Sequence, residues 1–106
     1  MSDQNLYSIL LEKLSKDFSL EGSSLPIHAN LSIIREHLIK RIKEFMSYDF
    51  DRFLNSLYRI DVNEDKVHKI LYEKDKTVIP EKLADLIIER QLLRIKTQLM
   101  YKKGEF

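Results

Sequence analysis

The sequence predicts an all-α protein, a single small helical bundle of four or five helices, and three observations carry that expectation. Turn material is scarce, with only two Gly and two Pro in 106 residues. Apolar residues make up 43% and charged residues 33%, a Leu-, Ile-, Lys- and Glu-rich mixture that favours helices over sheets. Apolar positions also recur at spacings of three and four, the period of a helix face rather than a strand. A chain of this length forms one domain. The expected division is an N-terminal helical arm over 1–20, a linker over 21–30 and a helical core over 31–103.

Residues 4–20 place Tyr7, Leu10, Leu11, Leu14 and Phe18 on one helical face, with Lys13, Lys16 and Asp17 opposite. Ser2 or Asp3 is suited to cap the first turn. Gly22 supplies a stop, because glycine takes the left-handed conformation that ends many helices. The linker EGSSLPIHAN follows, with Pro26 disfavouring helix at Leu25. An arm joined in this way docks on its own chain or swaps onto a partner.

Leu31, Ile34, Leu38, Ile42 and Phe45 begin a second pattern, which Phe50, Phe53, Leu54, Leu57 and Ile60 continue. No Gly or Pro interrupts 31–60, so one continuous or bent central helix of about 30 residues, near 45 Å, is expected. Asp49 or Ser47 capping a separate second helix is the alternative. Val62, Val67, Ile70 and Leu71 give a short amphipathic helix over about 62–73. Pro80 then marks the first turn of a last helix over about 80–102, where proline is well tolerated.

That last helix carries two apolar stripes. Ala84, Ile88, Leu92, Ile95 and Leu99 form one; Leu86, Leu93 and Met100 form another roughly 140° away. Two stripes predict packing from both sides, by another helix of the chain or by a second copy. Both sets are therefore candidate interface residues.

Several chemistries are disfavoured. Eighteen Lys and Arg against 17 Asp and Glu leave a formal charge of +1, so no general attraction to nucleic acid or anionic membrane is expected. Without Cys there is no thiolate metal site and no thiol nucleophile. No apolar run approaches the ~20 residues that span a bilayer. The start MSDQNLYSILLEKLSKDF lacks the basic segment and unbroken apolar run of a secretory signal, so a cytoplasmic location is expected.

DVNEDK, residues 61–66, places Asp61, Asn63 and Asp65 at the first, third and fifth positions of a calcium loop. Such a loop also needs Gly at its sixth position and a bidentate Glu at its twelfth. Lys66 and Tyr72 stand there instead. Asp61 followed by Glu64 has capping-box spacing, so a helix start accounts for these letters better than a metal does. His68 has acids one turn away but no second histidine at ligand spacing, and His28 and His37 stand apart. The carboxylate pairs Asp49/Asp51, Asp61/Glu64 and Asp85/Glu89 lie among cations and read as salt-bridging surface. No phosphate-cradling glycine loop or nucleophile elbow is present. No catalytic residue, metal or cofactor is therefore assigned, and an enzyme is not expected. A carboxylate metal enzyme is the reading least supported.

Two basic clusters remain. Arg35 and Arg41 lie in the second helix, with Arg90, Arg94 and Lys96 in the last. They support the rival reading, a nucleic-acid-associated helical protein, through local charge excess alone. Tyr48, Phe50, Phe53 and Tyr58 form an aromatic segment that suits a core or an interface.

The segments LYRIDVNEDKV and LADLIIERQLLRIKTQ, within about residues 48–100, resemble a pattern recurring in small bacterial helical proteins of uncharacterised activity. The resemblance implies a bacterial cytosolic helical domain and carries no catalytic or binding residue with it. The function expected is thus a small non-enzymatic protein-interaction module that self-associates, as a homodimer and off the membrane.

Overall fold

The computed structural model describes residues 3–20 and 30–103. Ser2, Gly22, Leu25, Pro26 and His28 lie outside them, so the expectations for the linker are not addressed. The described residues form five α-helices and no strand: α1 (Asp3–Phe18), α2 (Leu31–Tyr48), α3 (Phe50–Arg59), α4 (Glu64–Leu71) and α5 (Ile79–Lys103). A 3-10 turn, Lys76–Val78, leads into α5. The all-α fold is as the periodicity predicts. Three details of its punctuation differ.

The first is the central helix, which breaks at Asp49. This residue leaves the helical region (φ −156°, ψ 69°), and its N–H donates to the Phe45 carbonyl at 2.8 Å. Its carboxylate meanwhile accepts from the Arg52 N–H at 3.2 Å. One aspartate therefore closes α2 and opens α3, since its short side chain offers the backbone an alternative to the helix ladder. The break brings Phe53 against Phe45, with ring centroids 5.7 Å apart, and against Phe18 of α1 at 5.9 Å. A straight helix would hold Phe45 and Phe53 about 12 Å apart along its axis.

The second concerns helix ends. Ser19 (φ 54°) and Asp61 (φ 58°) are the non-glycine residues with positive φ among those described. Each directly follows a carbonyl held by an arginine of a distant helix. Arg41 Nε donates to the Phe18 carbonyl at 3.3 Å, and Arg90 Nε donates to the Ile60 carbonyl at 3.0 Å. Helix α1 thus ends at Phe18.

The third concerns the start of α4. Asp61 is not its cap: it terminates α3 in the left-handed region, which Asp tolerates better than most residues. Asn63 caps α4 instead, accepting from the Lys66 N–H at 3.1 Å. Glu64 and Asp65 then occupy the first turn, where the helix dipole favours them.

The core joins all five helices. Leu10, Leu14 and Phe18 of α1 are fully buried, as are Leu38, Phe53, Leu57, Val67, Leu83 and Ile87. Burying such a leucine or phenylalanine contributes roughly 1.5–3 kcal/mol. The arm therefore lies on its own chain, against α2, α3 and α5. A polar fastening adds to this contact. Gln91, wholly buried, donates to the Asp17 carboxylate at 2.7 Å and accepts from Arg94 at 3.2 Å. No buried side-chain polar atom is left unpaired among the described residues.

Relieving a left-handed aspartate should stabilise the fold. Asp61→Gly is expected to raise the urea-unfolding free energy by about 0.5–1 kcal/mol, and Asp61→Val to lower it by a similar amount. Asn63→Ala should cost about 1 kcal/mol through loss of the cap. A neutral Asn63→Ala together with a destabilising Asp61→Ala would restore Asp61 as the cap.

Candidate interaction surface

Helix α4 lies along the N-terminal half of α5. Its Val67 is fully buried in the core, and Ile70 and Leu71 are partly buried against that core. The two helices leave a groove of about 390 Å³. Ile70 and Leu86 give it an apolar floor, and Lys66, Lys69, Glu73, Lys82, Asp85 and Glu89 form its rim. Through Lys66, Leu86 and Glu89 it joins a second hollow of about 200 Å³ beneath the α3–α4 turn, where Val62, Arg90 and Leu93 contribute.

The rim is ordered by ion pairs. Lys82 Nζ meets Glu73 Oε1 at 2.6 Å. Arg35 of α2 grips Asp85 with two bonds, Nε to Oδ1 at 2.6 Å and Nη2 to Oδ2 at 3.2 Å. This hydrogen bonding is the largest cause holding the Arg35 guanidinium above its ordinary pKa, against desolvation in the opposite sense. Charges from Asp85 and Glu81 add to the rise. The pair is half-exposed, so its net contribution is at most about 1 kcal/mol.

The two stripes of α5 meet different surroundings. Ile88 and Ile95 are buried against the chain's own core, and Leu92 and Leu99 are partly buried beside them. Of the second stripe, Leu86 is covered by α4, whereas Leu93 is 55% exposed and Met100 42% exposed. The short α4 covers the stripe only at its N-terminal end. The second stripe thus meets a helix of the same chain at Leu86 and open solvent beyond it.

The basic residues are spread over separate duties. Arg35 holds Asp85; Arg41 bonds Glu44 at 2.9 Å, the Phe18 carbonyl and, face-on at 4.3 Å, the ring of Phe45. Arg90 holds Ile60 and Arg94 holds Gln91. Lys96 alone of the five is exposed without a hydrogen bond or ion pair to a described residue. They do not converge on one stripe.

Asp61, Asn63 and Asp65 do not form a cage, since Asn63 spends its side-chain oxygen on the Lys66 N–H. His68 is exposed on α4, and no group of three His, Asp or Glu among the described residues is placed to hold a metal. Among the carboxylate pairs, Asp49 is a cap and Asp85 an ion-pair partner. Tyr48 and Tyr58 are exposed, whereas Phe50 and Phe53 pack inward.

Sequence reading did not assign the groove-lining Ile70, Lys82 and Glu89 to a site, nor Gln91 to the core. The Ile87–Gln91–Ile95 spacing of four was the available signal for Gln91. The groove residues had no such signal, because α4 and α5 meet only in the folded chain.

No family model matches this chain, and neither the curated proteins nor the solved structures include a significant match to it. Among the described residues no helix is long and apolar enough to cross a membrane.

One titration bears on the approach to α5. Asp75 opens the 3-10 turn by accepting from the hydroxyl (2.6 Å) and N–H (3.0 Å) of Thr77, and the hydroxyl bond is the larger cause holding its pKa below the ordinary value. A depressed folded-state pKa gives stability that is present above the unfolded value, about 4, and is lost as pH falls through the folded value. Asp75→Asn should therefore flatten the acid limb of a Tm-against-pH curve below about pH 4. An unchanged limb would remove Asp75 from that account.

Proposed function

We propose that the protein is a small non-enzymatic interaction module that self-associates through the exposed side of α5, as a homodimer in the bacterial cytoplasm. The observation that carries this reading is the exposure of Leu93 and Met100 on a helix whose other apolar side chains are largely covered. A neighbouring groove with an apolar floor supports it further. Exposed apolar side chains in line, rimmed by charge, are the usual composition of a protein contact surface. Ile88 and Ile95 serve the chain's own core and are removed from the contact set; Leu86, Leu93 and Met100 remain.

The nucleic-acid reading has weaker support. Arg35, Arg41, Arg90 and Arg94 each engage an acceptor of their own chain, so a phosphate would compete with bonds already made. A metal-dependent activity has no cluster of ligands behind it among the described residues.

Light scattering behind a size-exclusion column should give a mass above that of one chain, rising with concentration. Leu93→Glu should return the monomer mass while preserving helicity and Tm, because position 93 is more than half exposed. A monomer at every concentration would reject self-association, and an unfolded Leu93→Glu would assign Leu93 to the core.

A further inference from the structure

The geometry points to an antiparallel two-fold pairing of α5 with α5 of a second copy, with Leu93 on the axis and Met100 of each copy seated over the α4–α5 groove of the other. This rests on the self-association proposed above and adds its orientation and register.

The argument begins with positions. Leu86 and Met100 stand seven residues before and after Leu93, about 10 Å along the helix on either side. At ~100° per residue all three fall within about 20° of one line. A two-fold axis through Leu93, perpendicular to the helix, brings Leu93 onto its own copy and Leu86 opposite Met100 of the other copy, twice. Three apolar layers result with no residue out of register. Leu86 is the floor of the α4–α5 groove, so the incoming Met100, a flexible and polarisable side chain, enters a space of suitable chemistry.

The covering of Leu86 by α4 selects the orientation, and charge fits it. Glu89 and Lys96 are exposed and flank Leu93 on the same side of the seam, at about −40° and −60° and about 6 Å below and 4.5 Å above it. The antiparallel two-fold keeps that side and inverts height, so Glu89 of each copy meets Lys96 of the other. On the opposite side Arg90 meets the neutral Thr97. A parallel pairing would instead set Lys96 beside the neutral Thr97 and Glu89 beside Arg90, whose Nε is already held by the Ile60 carbonyl. It would also press Leu86 against Leu86 where α4 of each copy stands. Opposite charges flanking such a seam favour the pairing that brings them together. The seam thus suits a second copy of this chain in one orientation.

The sequence contains no Cys, so single introduced cysteines report contacts without ambiguity. With oxidised glutathione as the electron acceptor, Leu93→Cys should form a disulfide-linked dimer. Met100→Cys should not, because its two copies lie on opposite sides of the axis, about 20 Å apart. Reversing one charge, Glu89→Lys or Lys96→Glu, should weaken dimerisation roughly tenfold by replacing two attractive pairs with two repulsive ones. Mixing the Glu89→Lys chain with the Lys96→Glu chain should restore it, since both cross-copy pairs are then opposite in sign. Equal cross-linking at both cysteine positions would overturn the antiparallel orientation. A dimer by light scattering whose Leu93→Cys form stays uncross-linked would overturn this register and leave self-association through another face. A monomer at the highest soluble concentration would overturn both.

Discussion

Helix α5 is apolar around too much of its circumference for any single neighbour to cover. Leu83, Ile87, Ala84, Ile88 and Ile95 are all buried, and they sweep an arc of about 140°, against the roughly 100° stripe of an ordinary surface helix. No single helix packs on that whole arc: α1, α2 and α4 all contact α5. The remaining helices are arranged as solutions to that problem. Helix α2 takes one flank, α1 lies across with Leu10, Leu14 and Phe18, and the short α4 covers the N-terminal half through Val67. What the eight-residue α4 is too short to reach is left facing water, and that is where the proposed contact surface falls.

The near-balance of charge has a structural reading in the same terms. The arginines of α2 and α5 act inside the molecule, on a carboxylate, on two helix-terminal carbonyls and on a buried glutamine. Guanidinium suits this work because its planar, permanently charged head donates in several directions while its stem packs on apolar surface. Arg41 shows all of it, bonding Glu44 and the Phe18 carbonyl while stacked on Phe45. A basic cluster in sequence therefore became a set of separate clamps in space.

Much of the fold was legible in the sequence because helical periodicity is a local property. The helices at 3–18, 64–71 and 79–103 sit within a few residues of where apolar spacing puts them. The punctuation was legible less well, for a physical reason. Asp49 and Asp61 are both aspartates next to apolar runs, yet one caps a helix and the other ends one in the left-handed region. Which role each takes depends on Phe53 reaching Phe45 and Phe18, and on Arg90 reaching Ile60, contacts between residues far apart in the chain. The two stripes of α5 were legible, but which parts of them face solvent depended on where α4 ends. Gln91 reads as surface by residue type and is core by position, because Asp17 arrives from 74 residues away to satisfy it.

The two arginine-held helix ends bear on how this chain acquires its structure. A glycine stop works within a few residues and defines a helix end even in an isolated segment. Here the ends of α1 and α3 are completed by donors from α2 and α5, at sequence separations of 23 and 30 residues. An excised α1 or α3 segment lacks the group that terminates it, so its boundary frays, and it sharpens only when the donor helix arrives. Local structure and tertiary assembly are thereby coupled, which favours all-or-none unfolding over the stepwise loss of single helices.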